Sequence, residues 1–230
     1  MPYVKRIVCL ANSYKKRGRC IAGKEVLAKG VYGGWIRPVS DRPKDEISLS
    51  ECRYPNGAVP EPLDVIDVQL LHPAPKSHQT ENHVVDPRVR WVKRGEFPWQ
   101  ELEKLQDHPR SLWRNRYATC DGRYDCLSQP EASTCTNSLY LIKRGPFIVE
   151  VSSKIWDGVK TKTYRGLFQY GGIDYNFSIT DPLIRNIFAG RNEGQYELPD
   201  AYLCVSLTEP FEKDGRCYKL VAAVLTRRKQ

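Results

Sequence analysis

Four histidines, His72, His78, His83 and His108, all fall between residues 72 and 108. Nucleophilic catalysis needs a base beside a serine or cysteine. No serine or cysteine near these histidines sits in a recognisable elbow, so they read as surface residues of a polar connection. His78 and His83 with Asp86 match no metal motif. Eight cysteines are present without a CxxC pair, and Cys120, Cys126 and Cys135, with five and eight intervening residues, fit no structural zinc pattern. All eight are expected to be free thiols. Neither GxGxxG nor GxxxxGK followed by Ser or Thr occurs, which argues against P-loop nucleotide hydrolysis. Asp64 and Asp67, or Asp174 and Asp181, would do acid–base chemistry only if they converged, and Asp181 reads better as a helix cap. These residues therefore assign no catalytic group, metal or cofactor.

The remaining chemistry is recognition. The chain's formal net charge is +9. Residues 1–30 hold Lys5, Arg6, Lys15, Lys16, Arg17, Arg19, Lys24 and Lys29 against the single acid Glu25, a local excess of +7. A concentrated basic region attracts polyanions by releasing their counterions. Aromatic residues accompany it. The candidate contacts are Asn12, Tyr14, Lys15, Lys16 and Arg19, then Tyr32, Trp35, Arg37 and Ser40. Tyr14, Tyr32 and Trp35 are stacking platforms, and Arg37 is a planar fork for phosphate. A second set is Lys160, Lys162, Tyr164 and Arg165, where Lys160, Lys162 and Tyr164 share one face of a strand. The same residues also suit a solvated sheet face, a buried Trp35 and a structural ion pair at Arg37.

Strand-like runs position these groups at 4–10, 20–28, 31–39 and 63–71, with a weak fifth at 89–92. Residues 12–19 read as an exposed loop, and Pro98 opens a helix carrying Trp99, Leu102 and Leu105. In the second half, runs at 139–142, 147–152 and 159–170 precede the alternating strand 173–179. Asp181 or Thr180 then caps a helix with Pro182 at its first position and Leu183, Ile184, Ile187 and Phe188 on one face. Strands at 201–207 and 217–225 follow. This order suits a five-stranded Greek-key barrel of the OB type, with a helix between its third and fourth strands. The expected fold is mostly β with a few short helices, as two OB-like five-stranded Greek-key barrels packed together. The expected divisions are 1–117, a barrel with a helical extension; 118–138, a connecting loop; and 139–230, a second barrel. The opening MPYVKRIVCLANSY has no signal-peptide core and no apolar run nears the length of a membrane span, so a cytoplasmic location without a membrane partner is expected.

The phrases CLANSYKKRGRCIAGKE and GGWIRPVS together resemble the N-terminal signature of a bacterial family with a dual OB-containing domain. The matching positions are Cys9, Leu10, Ala11, Asn12 and Ser13; Gly18, Arg19, Cys20, Ala22 and Gly23; and Gly34, Trp35, Ile36, Arg37, Pro38 and Ser40. The resemblance implies two OB-like barrels and a nucleic-acid or nucleotide recognition module working alongside prokaryotic defence components, with no catalytic residues to carry over. Three functions stay open at this point: binding of single-stranded DNA or RNA; a small-ligand or nucleotide sensor or enzyme with Asn12, Arg19, Trp35, Arg37 and Asp181 around a pocket between the two barrels; and a protein-interaction subunit of a larger complex. Oligomeric state is left open.

Overall fold

The computed structural model describes residues 1–15, 18–43, 45–156 and 158–227, the side chain of Trp156 excepted. It forms two compact units, one of Met1–Gln106 with Thr136–Ser138, the other of Asp107–Cys135 with Leu139–Gln230.

The first unit contains β1 (Tyr3–Lys15), β2 (Gly18–Ala28), β3 (Val31–Val39), α1 (Leu49–Cys52), β4 (Asp64–Pro73), β5 (Asn82–Val85), β6 (Val92–Glu96) and a 3-10 turn at Trp99–Leu105. The pairing runs β1-β2-β3-β5-β4, and β4 returns to β1, which closes the sheet. One long strand makes closure feasible. Residues 3–8 of β1 pair with β4, while residues 7–15 pair with β2. An extra residue between Cys9 and Ala11 bends the strand. Gly23 allows the crossing, since a Cβ there would meet Val8 O at 2.1 Å. β3 and β5 run parallel, whereas the pairs β1–β2, β2–β3, β4–β5 and β1–β4 are antiparallel. This circuit, with a helix between the third and fourth strands, is an OB-like barrel.

Its interior follows the strand alternation. Ile66, Val68 and Leu70 of β4 point inward and are buried with Ile7, Cys9, Ile21, Ile36 and Trp91. Burying each large apolar side chain is worth about 1.5–3 kcal/mol, which makes this row the main stabiliser of the barrel. Ser48 caps α1 through a reciprocal box with Glu51, and Ile47 and Cys52 join the core.

Two expectations change here. Residues 89–92 are not the fifth strand; that role belongs to β5, four residues inside a stretch of histidines and prolines, and β6 adds a sixth strand beside β4. Residues 12–15 and 18–19 are paired strand, with Lys15 opposite Gly18, where an exposed loop was expected over 12–19.

The second unit contains β7 (Cys126–Leu127), α2 (Gln129–Ser133), β8 (Leu139–Arg144), β9 (Phe147–Trp156), β10 (Val159–Tyr170), β11 (Ile173–Ile179), α3 (Pro182–Phe188), β12 (Gly194–Leu198), β13 (Ala201–Leu207) and β14 (Cys217–Leu225). Its order is β9-β10-β11-β14-β13-β8, with β11 and β14 parallel. β8 and β9 are consecutive along the chain, separated at Gly145–Pro146. They act as one interrupted first strand: β9 pairs with β10, and β8 pairs with β13. The circuit is the same as in the first unit, so this is a second OB-like barrel. β12 is an addition on β9. Gly145 fits the break because a Cβ there would meet Pro199 O at 2.1 Å.

The alternating run gives the expected interior row, Tyr175, Phe177 and Ile179. Asp181 caps α3 as expected: Oδ1 accepts from the Leu183 and Ile184 amides at 2.8 and 3.4 Å, while Oδ2 accepts from Val224 N at 2.8 Å. Of the four apolar positions read as sharing one helical face, Ile184 and Phe188 are buried, whereas Leu183 and Ile187 are exposed. The expected boundaries also differ from the compact units. Residues 107–135 belong with the second unit, and 118–138 contains β7 and α2 instead of being a plain connecting loop.

Candidate nucleic-acid interface

The β1–β2 hairpin places Tyr14 directly opposite Arg19. The Arg19 guanidinium lies 4.5 Å from the centroid of the Tyr14 ring, and Tyr14 is 42% exposed. Cross-strand neighbours share a face, so pairing fixes this stack. Asn12 lies on the same face, opposite Ile21, and its Nδ2 donates to Pro60 O at 2.7 Å. Asn12 Oδ1 and Arg19 Nη1 are buried without a hydrogen-bond partner among the described residues, as is Oε2 of Glu46, whose side chain lies against Gly18. Lys15 is half-buried at the end of the strand. Lys16 and Arg17 lie outside the described residues.

Trp35 makes a second cation–aromatic pair. It is opposite Lys24, whose Nζ sits 5.5 Å from the ring. Ile21 and Gly23 alternate with Lys24 along β2, so Trp35 and Lys24 occupy the opposite face of the sheet from Tyr14 and Arg19. Arg19 and Lys24 are also five residues apart, about 17 Å along an extended strand. Tyr14–Arg19 and Trp35–Lys24 therefore do not form one platform. Tyr32 is half-buried in an edge contact with Phe97, centroids 5.5 Å apart, and burial raises its pKa.

Arg37 and Ser40 are corrections. Arg37 is 2% exposed. Its Nη1 pairs with Glu81 Oε1 at 3.1 Å, and Nη2 donates to Ser138 Oγ at 2.9 Å, while Ser138 Oγ donates to Glu81. Ser40 is buried, with its Oγ accepting from Arg42 N at 3.3 Å. Neither can reach a phosphate while the barrel is intact.

The second set does not form an open face either. Tyr164, Gly166 and Phe168 of β10 are buried, so the row shared by Lys160, Lys162 and Tyr164 is an interior row running out past the end of the barrel. Arg185 covers the Tyr164 ring at 5.4 Å. Lys162 Nζ donates to Ala189 O and Arg191 O, both at 2.6 Å, just beyond the end of α3. Lys160 is exposed and paired with Glu193 at 3.3 Å. Arg165, on the other face of β10, is consumed by Asp125, Ser178 and Asn176, including Nε to Asn176 Oδ1 at 2.6 Å and Nη2 to Asp125 Oδ2 at 2.9 Å. Lys162, Tyr164 and Arg165 are thereby held in contacts within the second unit.

The histidines are not uniformly on the surface. His78 is buried, and His83 is half-buried beside Tyr3, whose hydroxyl lies 2.6 Å from Nδ1. All eight cysteines are free. No group of three His, Cys, Asp or Glu side chains among the described residues has metal-binding proximity. No helix among them is long and apolar enough to cross a membrane.

One chemically unusual residue was missed. Lys219 is fully buried in the second barrel, with Nζ donating to Arg114 O at 2.7 Å and Asn115 Oδ1 at 2.8 Å. Burial lowers its pKa to about 7. Alternation with the buried Cys217 and Val221 along β14 was a readable signal for its inward direction.

The model of the dual OB-containing domain family matches residues 5–224, nearly the whole chain. The chain belongs to the dual OB-containing domain family. As a member it is an OB-type binding module, and both barrels fit that description. No curated protein and no solved structure matches it.

Proposed function

We propose that this dual OB-containing domain protein binds single-stranded nucleic acid through the β1–β2 hairpin of its first barrel. The observation that carries the reading is the Arg19 guanidinium stacked on the half-exposed Tyr14 within the chain's most basic region. OB barrels use the loop between their first two strands, and the second and third strands, to hold oligonucleotides. The hairpin occupies that place. A base stacks on Tyr14, and the surrounding cations track the backbone. Trp35 and Lys24 are a separate contact on the other face. Arg37, Ser40, Tyr164 and Arg165 support the barrels.

The pocket reading that gathered Asn12, Arg19, Trp35, Arg37 and Asp181 has no comparable support, because Arg37 is locked by Glu81 and Asp181 is a helix cap. The test is fluorescence anisotropy with a labelled single-stranded oligonucleotide at low and moderate salt. Binding that weakens with salt and is reduced in Tyr14→Ala supports the proposal; no binding at low salt overturns it.

A further inference from the structure

A groove of about 710 Å³ in the first barrel lies apart from the hairpin stack, walled by β1, the end of β2, β4 and β6. Its polar lining centres on one carboxylate holding two guanidiniums. Arg6 donates from Nε and Nη2 to the two oxygens of Asp67 at 2.6 and 3.0 Å, and Arg94 Nε donates to Asp67 Oδ2 at 2.7 Å. These bonds fix both planar groups while leaving Nη1 of Arg6 and both Nη groups of Arg94 able to donate. Hydrogen bonds from Arg6 lead in holding the Asp67 carboxyl below its ordinary pKa, so it stays charged and keeps the pair in place.

Two other acids in the lining are already engaged. Glu25 accepts from Lys5 at 2.6 Å, and Glu96 pairs at 3.0 Å with Lys93, which Asp64 also holds at 2.6 Å. One carboxylate cannot neutralise two guanidiniums, and Lys29 lines the same groove. With their partners counted, Lys5, Arg6, Lys29, Lys93 and Arg94 face Glu25, Asp64, Asp67 and Glu96, an excess of one positive charge carried on forked donors, the arrangement that suits a phosphate. A terminal phosphate offers these donors three oxygens, one more than a diester. Val4 and Leu27 supply exposed apolar surface beside it. We propose that this groove binds a phosphomonoester, with its phosphate on Arg6, Arg94 and Lys29 and its carbon body against Val4 and Leu27. The site stands independently of the hairpin reading.

Such a phosphate has two sources, a free nucleotide or the phosphorylated end of an oligonucleotide. The test uses the full chain with adenosine 5′-monophosphate in calorimetry, and with one oligonucleotide carrying either a 5′-phosphate or a 5′-hydroxyl in anisotropy. For a free nucleotide, Arg6→Ala and Arg94→Ala each weaken monophosphate binding at least tenfold, and Arg94→Lys falls between. For a polymer end, the monophosphate gives no signal, while the 5′-phosphate strengthens oligonucleotide binding in the wild type and not in Arg94→Ala. Absence of both effects, or their survival in Arg94→Ala, overturns the proposal. Both arginines are about half exposed, and thermal melts by circular dichroism verify that the variants fold. Binding of the 5′-hydroxyl oligonucleotide separates the two sites: Arg94→Ala leaves it unchanged, whereas failure of the hairpin reading removes it from the wild type as well.

Discussion

Arg37 Nη1 and Glu81 Oε1 stand 3.1 Å apart with both side chains buried, in a barrel whose exposed ion pairs lie elsewhere. Removing one member of such a pair leaves an uncompensated charge, at a cost of about 3–5 kcal/mol. Arg37→Ala should lower stability by that amount in urea denaturation, with oligonucleotide affinity of the folded protein unchanged. Lys160→Ala should leave the urea midpoint nearly unchanged, because its pair with Glu193 is solvated. A large affinity loss in folded Arg37→Ala would return this residue to the binding surface.

Tyr14→Ala is expected to weaken oligonucleotide binding by about 1–3 kcal/mol, the range for losing one base stack. Tyr14→Phe keeps the ring and should bind nearly as the wild type does. Arg19→Ala should weaken binding and flatten the salt dependence, by about 0.7 in the log–log slope for one lost phosphate contact on a single strand. Anisotropy titrations at several salt concentrations read all three variants.

Lys219 makes stability depend on pH in a defined window. Its folded pKa is lowered from 10.5 to about 7 by burial, so between those values the unfolded chain binds more protons. Stability from this residue therefore rises with pH from about 7 toward 10.5, at up to about 1.4 kcal/mol per pH unit. Lys219→Met should remove that component. Urea midpoints of wild type and variant, compared across this range, measure the difference; parallel pH profiles would refute it.

Asp181 needs both oxygens as acceptors, one for the start of α3 and one for Val224 N. Asp181→Asn places an NH₂ group against one of these amides. A loss of about 1–3 kcal/mol is expected, the cost of leaving a buried polar group unpaired. Chemical denaturation checks it, and an unchanged midpoint would show that the strand contact is dispensable.

The legible parts of the fold were those written in local pattern. Alternation exposed the inward row of Tyr175, Phe177 and Ile179, and Asp181-Pro182 announced the start of a helix. β5 escaped because four residues carry too little periodicity to stand out from the surrounding prolines and histidines. The basic, aromatic hairpin was also readable, yet its pairing was not: a polar stretch resembles a loop until its partner strand is known. Arg37 was placed among the binding residues for a related reason, with the ion pair it makes kept as the alternative. Its flanking residues suggest an exposed fork, while the groups that bury its charge, Glu81 and Ser138, come from distant parts of the chain. The groove around Asp67 was invisible because Arg6, Asp67 and Arg94 meet only through strand pairing.

Thr136–Ser138 belongs with the first barrel although the residues on either side of it belong with the second. The gene therefore does not encode the barrels end to end. A fragment stopping at residue 106, or at the expected boundary of 117, would be missing the Ser138 hydroxyl that bonds both Arg37 and Glu81. Cutting the chain once cannot yield two intact halves, so shuffling or tagging experiments must treat the whole polypeptide as the unit of inheritance and expression.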